Sequence, residues 1–279
     1  MREPAPMFRT IELSEPALTE PGLRFATVKS PALGRRADVT FFVPEAGQQD
    51  EPLPLVILLH GVYGSHWAWA LKGGAHRVLQ NFMKSGAVPP MMLAMPSDGL
   101  WGDGSGYLQH TEADYAAWVV KEVPALAAMV DARVQGAPMF ISGLSMGGYG
   151  ALRLGARFAE QFAGISAHSS ITHFRQMDGF VEEGMDRYIL SENEVPGVLE
   201  AMLEKRDVLP PIRFDCGTVD QLLEHNRELQ RSLVKERIPH VYEEFRGGHT
   251  WEYWNEHVAD SLKFFAWILR KGEAEEMDV

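Results

Sequence analysis

Ser145 lies in FISGLSMGGYGALRLGAR (140–157), where an apolar run meets an alanine-rich amphipathic run through a knot of glycines. Gly143-Leu144-Ser145-Met146-Gly147 fits G-x-S-x-G, and its place between a strand signal and a helix signal gives that short pattern meaning. A strand that turns so sharply into a helix crowds its own backbone, and glycines two residues to either side remove Cβ atoms that would clash. The hydroxyl then projects at the C-terminal edge of the sheet, where open α/β sheets bind ligands. A helix N-terminus beneath it offers free N–H groups and a partial positive charge to a developing oxyanion. The plainer reading is a tight glycine turn with a bystander serine; the strand–turn–helix setting favours a reactive hydroxyl.

A serine hydroxyl is a weak nucleophile until a base takes its proton, and that base needs an acid to orient it. In this motif's order the acid precedes the histidine, and each sits on a loop after a strand. IRFDCGTVDQLL supplies a strand, then Gly217-Thr218, then Asp220; VYEEFRGGHTWEYW supplies a strand, then Gly247-Gly248, then His249. Asp215 competes for the acid role but falls inside its strand, and Glu224 lies one helical turn beyond Asp220. Of ten histidines, only His249 occupies a late, glycine-flanked loop after a strand. His225, His240 and His257 read as helix-surface or strand-end residues. His168, in SAHSS, also ends a strand near the expected site and is a weaker candidate for the base, a pocket-lining or core role being the simpler reading. LLHGVYGSHW resembles an H-G-x-x-G loop that supplies a backbone donor. Val62 N–H and Met146 N–H are therefore the expected oxyanion donors, with His60 bracing the loop.

Alternating strand and helix signals must position these groups, which argues for a mostly parallel sheet of about eight strands with helices on both faces. RFATVKS (24–30) and ADVTFFVP (37–44) read as an opening antiparallel hairpin, the first of them a candidate exposed edge for pairing with another copy. PLVILLH (54–60) is continuously apolar, as befits a strand buried on both faces. A helix within 67–85, strands at 91–96, 138–142, 162–170, 212–217 and 240–245, and a helix over 112–131 kinked by Pro124 complete the alternation. The forty or so residues at 171–211 exceed an ordinary connection and read as a cap over the sheet's edge, inserted in one domain spanning 1–279. Trp101, Tyr107, His168 and Trp251 are candidate pocket walls.

Composition excludes several function classes. A net charge of −12 repels a phosphate backbone, and LGRR (33–36) is too short to make a basic patch, so no nucleic-acid partner is expected. Cys216 is the only cysteine, which rules out an internal disulfide, and no Cys/His spacing suggests a metal site. No cofactor is expected. The N-terminal stretch lacks the apolar segment of a signal peptide and no apolar run is long enough to cross a bilayer, so a cytoplasmic protein without membrane contact is the expectation.

Five blocks, in order, also carry a family likeness: HGVYGSHWAW, MPSDGLWGDGSGYLQHTEADYAAWVVKEVPAL, GLSMGGYGALRLGARFAEQFAGISAHSS, CGTVDQLLEHNRELQRSL and GGHTWEYW. Together they resemble the putative-esterase family of α/β-hydrolases, over roughly residues 24–270. That resemblance implies an α/β-hydrolase fold, a triad of Ser145, Asp220 and His249, no cofactor, a small-molecule ester substrate, and dimers or tetramers as reasonable homo-oligomeric states. The expected activity is a serine carboxylesterase acting on short-chain acyl esters. A thioesterase of the S-formylglutathione hydrolase type and an acyltransferase are the alternatives, with a non-catalytic binding protein further behind. Leu144 stands where S-formylglutathione hydrolases usually carry histidine, and their marked cysteine near the first oxyanion block is absent.

Overall fold

In the computed structural model, which describes residues 7–45 and 51–277, the chain runs β1 (Ile11–Leu13), β2 (Leu23–Lys29), β3 (Arg36–Phe42), β4 (Leu55–Leu59), α1 (Ala75–Lys84), β5 (Met92–Pro96), α2 (Tyr115–Ala117) and α3 (Val123–Val130). There follow β6 (Met139–Gly143), α4 (Met146–Arg157), β7 (Gly164–His168), α5 (Val198–Glu204), β8 (Ile212–Gly217), α6 (Leu223–Lys235), β9 (Val241–Phe245) and α7 (Trp251–Met277). The strands form one nine-stranded sheet in the order β1-β2-β3-β5-β4-β6-β7-β8-β9. Pairing is antiparallel from β1 through β3 to β5, and parallel from β5 onward to β9.

The extra strand is β1. It covers the outer side of β2, with Ile11 opposite Val28, so RFATVKS is an inner strand and the expected free edge does not exist there. Three residues are too few to display the two-residue alternation by which a strand is recognised in sequence.

β4 explains the position of the core. All five of its side chains are buried; Leu55, Ile57 and Leu59 join one apolar cluster with Leu126, Leu152 and Leu229, from α3, α4 and α6. Val56 and Leu58 point the other way, into a second cluster with Leu79 of α1 and Val258, Leu262 and Phe265 of α7. Helices thus cover both faces, and each fully buried aliphatic side chain contributes about 1.5–3 kcal/mol.

Pro124 has the disruptive effect expected of it. A π-helical turn, Trp118–Glu122, separates α2 from α3, and Val123 N–H donates to Trp118 O, five residues back. Proline cannot donate to the ordinary ladder, and the preceding turn widens. The helix expected within 67–85 is likewise divided, into a π-helical turn (Ala68–Lys72) and α1, with Gly74 at φ +63° between them.

Residues 171–211 contain two short 3₁₀ segments (Phe174–Gly179 and Met185–Arg187) and α5. A buried ion pair between Arg153 of α4 and Glu194 ties this segment to the sheet's covering layer. Arg157 also reaches Glu194 Oε1, at 2.5 Å, while Gln109 N–H donates to its other oxygen at 2.6 Å. No helix among the described residues is long and apolar enough to cross a membrane.

Candidate active site

β6 ends at Gly143 and α4 begins at Met146, leaving Ser145 as the corner, at φ +54° and ψ −120°. Such a backbone is strained for a residue with a Cβ, and it persists only where its surroundings enforce it. The surroundings are tight: a Cβ on Gly147 would lie 2.2 Å from Leu59 O, and one on Gly143 would lie 2.3 Å from Gly147 O. Ser145 N–H donates to His168 O at 3.0 Å, which pins the corner to the end of β7.

The other two groups reach the same place from the ends of β8 and β9. Asp220 sits on a turn closed by its own N–H to Gly217 O at 3.0 Å, and Leu222 N–H donates to Asp220 Oδ1 at 2.8 Å. His249 follows Gly247, whose φ of +148° no side chain tolerates easily. His249 Nδ1 lies 2.9 Å from Asp220 Oδ2, and its Nε2 lies 2.9 Å from Ser145 Oγ. Burial alone would raise the Asp220 carboxyl; the hydrogen bond and charge of His249 and the Leu222 N–H outweigh it and hold the group below the ordinary aspartate value. An ionised acid therefore faces Nδ1, so Nδ1 keeps the proton and Nε2 is left to accept one from the serine.

Val62 and Met146 flank this hydroxyl. Neither backbone N–H has an acceptor among the described residues, whereas the neighbouring Tyr63 N–H and Gly147 N–H are both bonded. His60 lies buried beneath the loop, with Nδ1 2.7 Å from Gly61 O and Nε2 accepting from Asp98 N–H at 3.0 Å. One ring nitrogen is spent on the loop itself and the other ties it to the segment after β5.

Ser145, His249 and Val62 line a cavity of about 320 Å³. Trp251 is also in its wall, as the sequence suggested. The other three wall candidates are elsewhere. Tyr107 is wholly buried, donates to His60 O at 3.0 Å and packs against Gly150. Trp101 lines a separate cavity of about 380 Å³, larger but holding none of Ser145, Asp220 and His249, and packs on Tyr188 and His110. His168 is sealed in the core, its Nδ1 2.7 Å from Asp215 Oδ2 and its Nε2 2.8 Å from Ser261 Oγ. Its short strand-end position suggested the site, but its ring turns away from it into the layer beneath α7.

Sequence reasoning missed Trp67, Lys72 and Trp254, and offered Phe180 only as one aromatic of the 171–211 segment; all four line the Ser145 cavity. Trp254 could have been found, because it lies one helical turn after Trp251 on the same face of α7. Phe180 comes from the 171–211 segment, and its ring lies 5.5 Å from that of His249. Among the described residues no group of three His, Cys, Asp or Glu is arranged to hold a metal ion.

Comparison with known proteins agrees with this architecture. A family model named Esterase and described as "Putative esterase" matches residues 30–265. An acetyl esterase of Caldicellulosiruptor saccharolyticus is 30% identical over 235 residues, covering 77% of this chain and 84% of that protein. A solved ferulic acid esterase superposes with a TM-score of 0.75 at 23% identity, covering 94% of this chain and 99% of that one. The S-formylglutathione hydrolase of Staphylococcus aureus superposes with a TM-score of 0.72 at 15% identity, covering 92% and 99%. At those identities the two structures speak for the fold alone.

Proposed function

The chain belongs to the Esterase family and is a serine ester hydrolase of α/β-hydrolase fold, and from that premise we propose that Ser145, His249 and Asp220 carry hydrolysis of short-chain carboxylic esters through an acyl-enzyme. The observation behind this reading is the unbroken hydrogen-bonded line from Asp220 through His249 to Ser145 Oγ, ending in an open cavity.

Ser145 Oγ attacks the ester carbonyl carbon while its proton passes to His249 Nε2. Asp220 holds the imidazole in the required tautomer and stabilises the imidazolium that forms. The carbonyl oxygen, now an oxyanion, is taken by the Val62 and Met146 amides, and losing one such donor costs on the order of 10²–10³ in rate. When the tetrahedral intermediate collapses, the carbon–oxygen bond to the alcohol breaks and His249 returns the proton to the leaving oxygen. Water then enters, gives a proton to His249 Nε2 and attacks the acyl carbon. A second collapse releases the carboxylic acid and restores the serine hydroxyl.

The short-chain preference rests on the size and aromatic lining of the cavity, and it accords with the acetyl esterase relative. Phe180 makes segment 171–211 a cap that closes one side of the cavity, within a single domain. A cytoplasmic setting suits a chain whose lone cysteine, Cys216, is buried and unpaired. Turnover of p-nitrophenyl esters of graded chain length, with and without an added alcohol acceptor, tests the reading. Hydrolysis that peaks at short acyl chains supports it; product formed only with the acceptor makes the protein an acyltransferase. Inertness, together with no labelling by a fluorophosphonate, removes the catalytic assignment.

A further inference from the structure

The wall of the Ser145 cavity is aromatic, glycine-rich and uncharged apart from one side chain, Lys72. Lys72 closes the π-helical turn Ala68–Lys72, and its Nζ stands 5.5 Å from the centroid of the Trp251 indole. That indole is a fixed base: it meets Trp69 and Trp254 edge to face, with centroids 5.7 and 5.3 Å away. Gly73 permits the approach, since a Cβ there would fall 2.8 Å from the Trp251 ring. Lys72 makes no ion pair among the described residues. The carboxylate that feels its charge, Glu252, is solvent-exposed and already engaged by its own N–H and by Thr250. On a chain of net charge −12, a cation free to meet a ligand beside the reactive hydroxyl inverts the local field. The same cavity turns acidic near Tyr63, which sits beside the carboxylates of Asp103, Glu182 and Glu183.

We propose that Lys72, seated on Trp251, forms a carboxylate subsite, so that esters bearing one carboxylate are preferred over their neutral counterparts. The inference rests on Ser145 being the nucleophile of this cavity. Lys72 is itself exposed, so its pull on a carboxylate is partly screened by solvent and of modest size.

Two substrate pairs test it and separate the two places where the carboxylate can sit. 4-Acetoxybenzoate against 4-acetoxybenzamide puts the charge on the alcohol side; monophenyl adipate against its carboxamide puts it on the acyl side. For the wild-type enzyme kcat/KM should favour the carboxylate by about threefold in at least one pair, and that ratio should shrink as ionic strength rises. Lys72→Gln should bring the ratio to about one, Lys72→Glu should invert it, and Lys72→Arg should keep it. Neutral esters turned over while both ratios stay at or below one, or a preference that Lys72→Gln leaves unchanged, would overturn the subsite and leave the esterase reading intact. No turnover of any of the four esters would overturn both.

Discussion

Ser145–His249–Asp220 and Ser261–His168–Asp215 are built from the same residue types at nearly the same spacing. His249 lies 2.9 Å from its serine and 2.9 Å from its aspartate; His168 lies 2.8 Å from Ser261 and 2.7 Å from Asp215. What differs is everything around them. Ser145 is held at a positive φ on a corner, beside two amides with no other acceptor, and it opens into a cavity. Ser261 lies within α7, fully buried, sharing its hydroxyl with Ser166 at 2.7 Å. The acids differ too. Asp220 is answered by His249, the Leu222 N–H and the Ser169 side chain, whereas Asp215 also takes Arg213 at 2.6 Å and the Tyr253 hydroxyl at 2.7 Å. A hydrogen-bonded serine, histidine and aspartate is therefore an insufficient sign of chemistry. Access, a strained corner and an unfilled pair of donors separate the two arrays.

The largest effect expected from this contrast comes from the two serines. Ser145→Ala should lower kcat on short-chain p-nitrophenyl esters by on the order of 10⁶, with circular dichroism and thermal unfolding unchanged. Ser261→Ala should leave kcat within several-fold of wild type and cost about 1–3 kcal/mol of stability through the partners left in the core. A fluorophosphonate should label the peptide containing Ser145 and not the one containing Ser261. Near-normal turnover by Ser145→Ala would erase the distinction between the arrays.

The acids should behave differently in kind. Asp220→Asn removes the group that fixes the imidazole tautomer and should reduce kcat by about 10⁴ with the protein still folded. Asp215→Asn removes the buried counter-charge of Arg213, which keeps the more exposed Glu243 at 2.9 Å, and should destabilise the fold by up to about 3–5 kcal/mol, lowering Tm by on the order of 10 °C. Paired kcat and Tm measurements on the two variants would sharpen the comparison; a kcat collapse in Asp215→Asn without a fall in Tm would break it.

The convergence of Ser145, His249 and Asp220 was legible in sequence because each member is announced locally. Ser145 has its glycines and its strand–helix setting, and Asp220 and His249 each follow a strand and a small-residue turn. The buried array was not legible, although Asp215 and His168 were the two runners-up for acid and base. Asp215 was set aside because it lies inside its strand and His168 because a core or wall role explained it as well; only the parallel pairing of β7 with β8, which sets His168 opposite Asp215, shows that they answer each other. Ser261 carries no signal at all on a helix. The pocket walls fared worse than the triad for a physical reason: aromatic residues fill cores and sites alike. Tyr107 and Trp101 pack elsewhere, while Trp67 and Phe180 reach the cavity from segments whose path no short-range pattern fixes. β1 escaped because three residues show no period.

The smallest effect concerns acid stability, and it isolates the buried array. Burial alone would push the Asp215 carboxyl up, but the charge and hydrogen bond of His168, with Arg213 and Tyr253, bring it down to about 2 from an ordinary 3.8. A carboxyl depressed in the folded state contributes stability above its unfolded pKa and loses it as pH falls through the folded one. Asp215 should therefore supply roughly 2 kcal/mol that is present above about pH 4 and gone near pH 2. Urea unfolding of the wild type across that window should show stability falling as the medium acidifies. In Asp215→Asn the starting stability is lower and this part of the slope is missing. A variant whose stability falls between pH 4 and pH 2 as steeply as the wild type's would place the acid-sensitive carboxylate elsewhere, and the buried histidine would then be held by packing more than by charge.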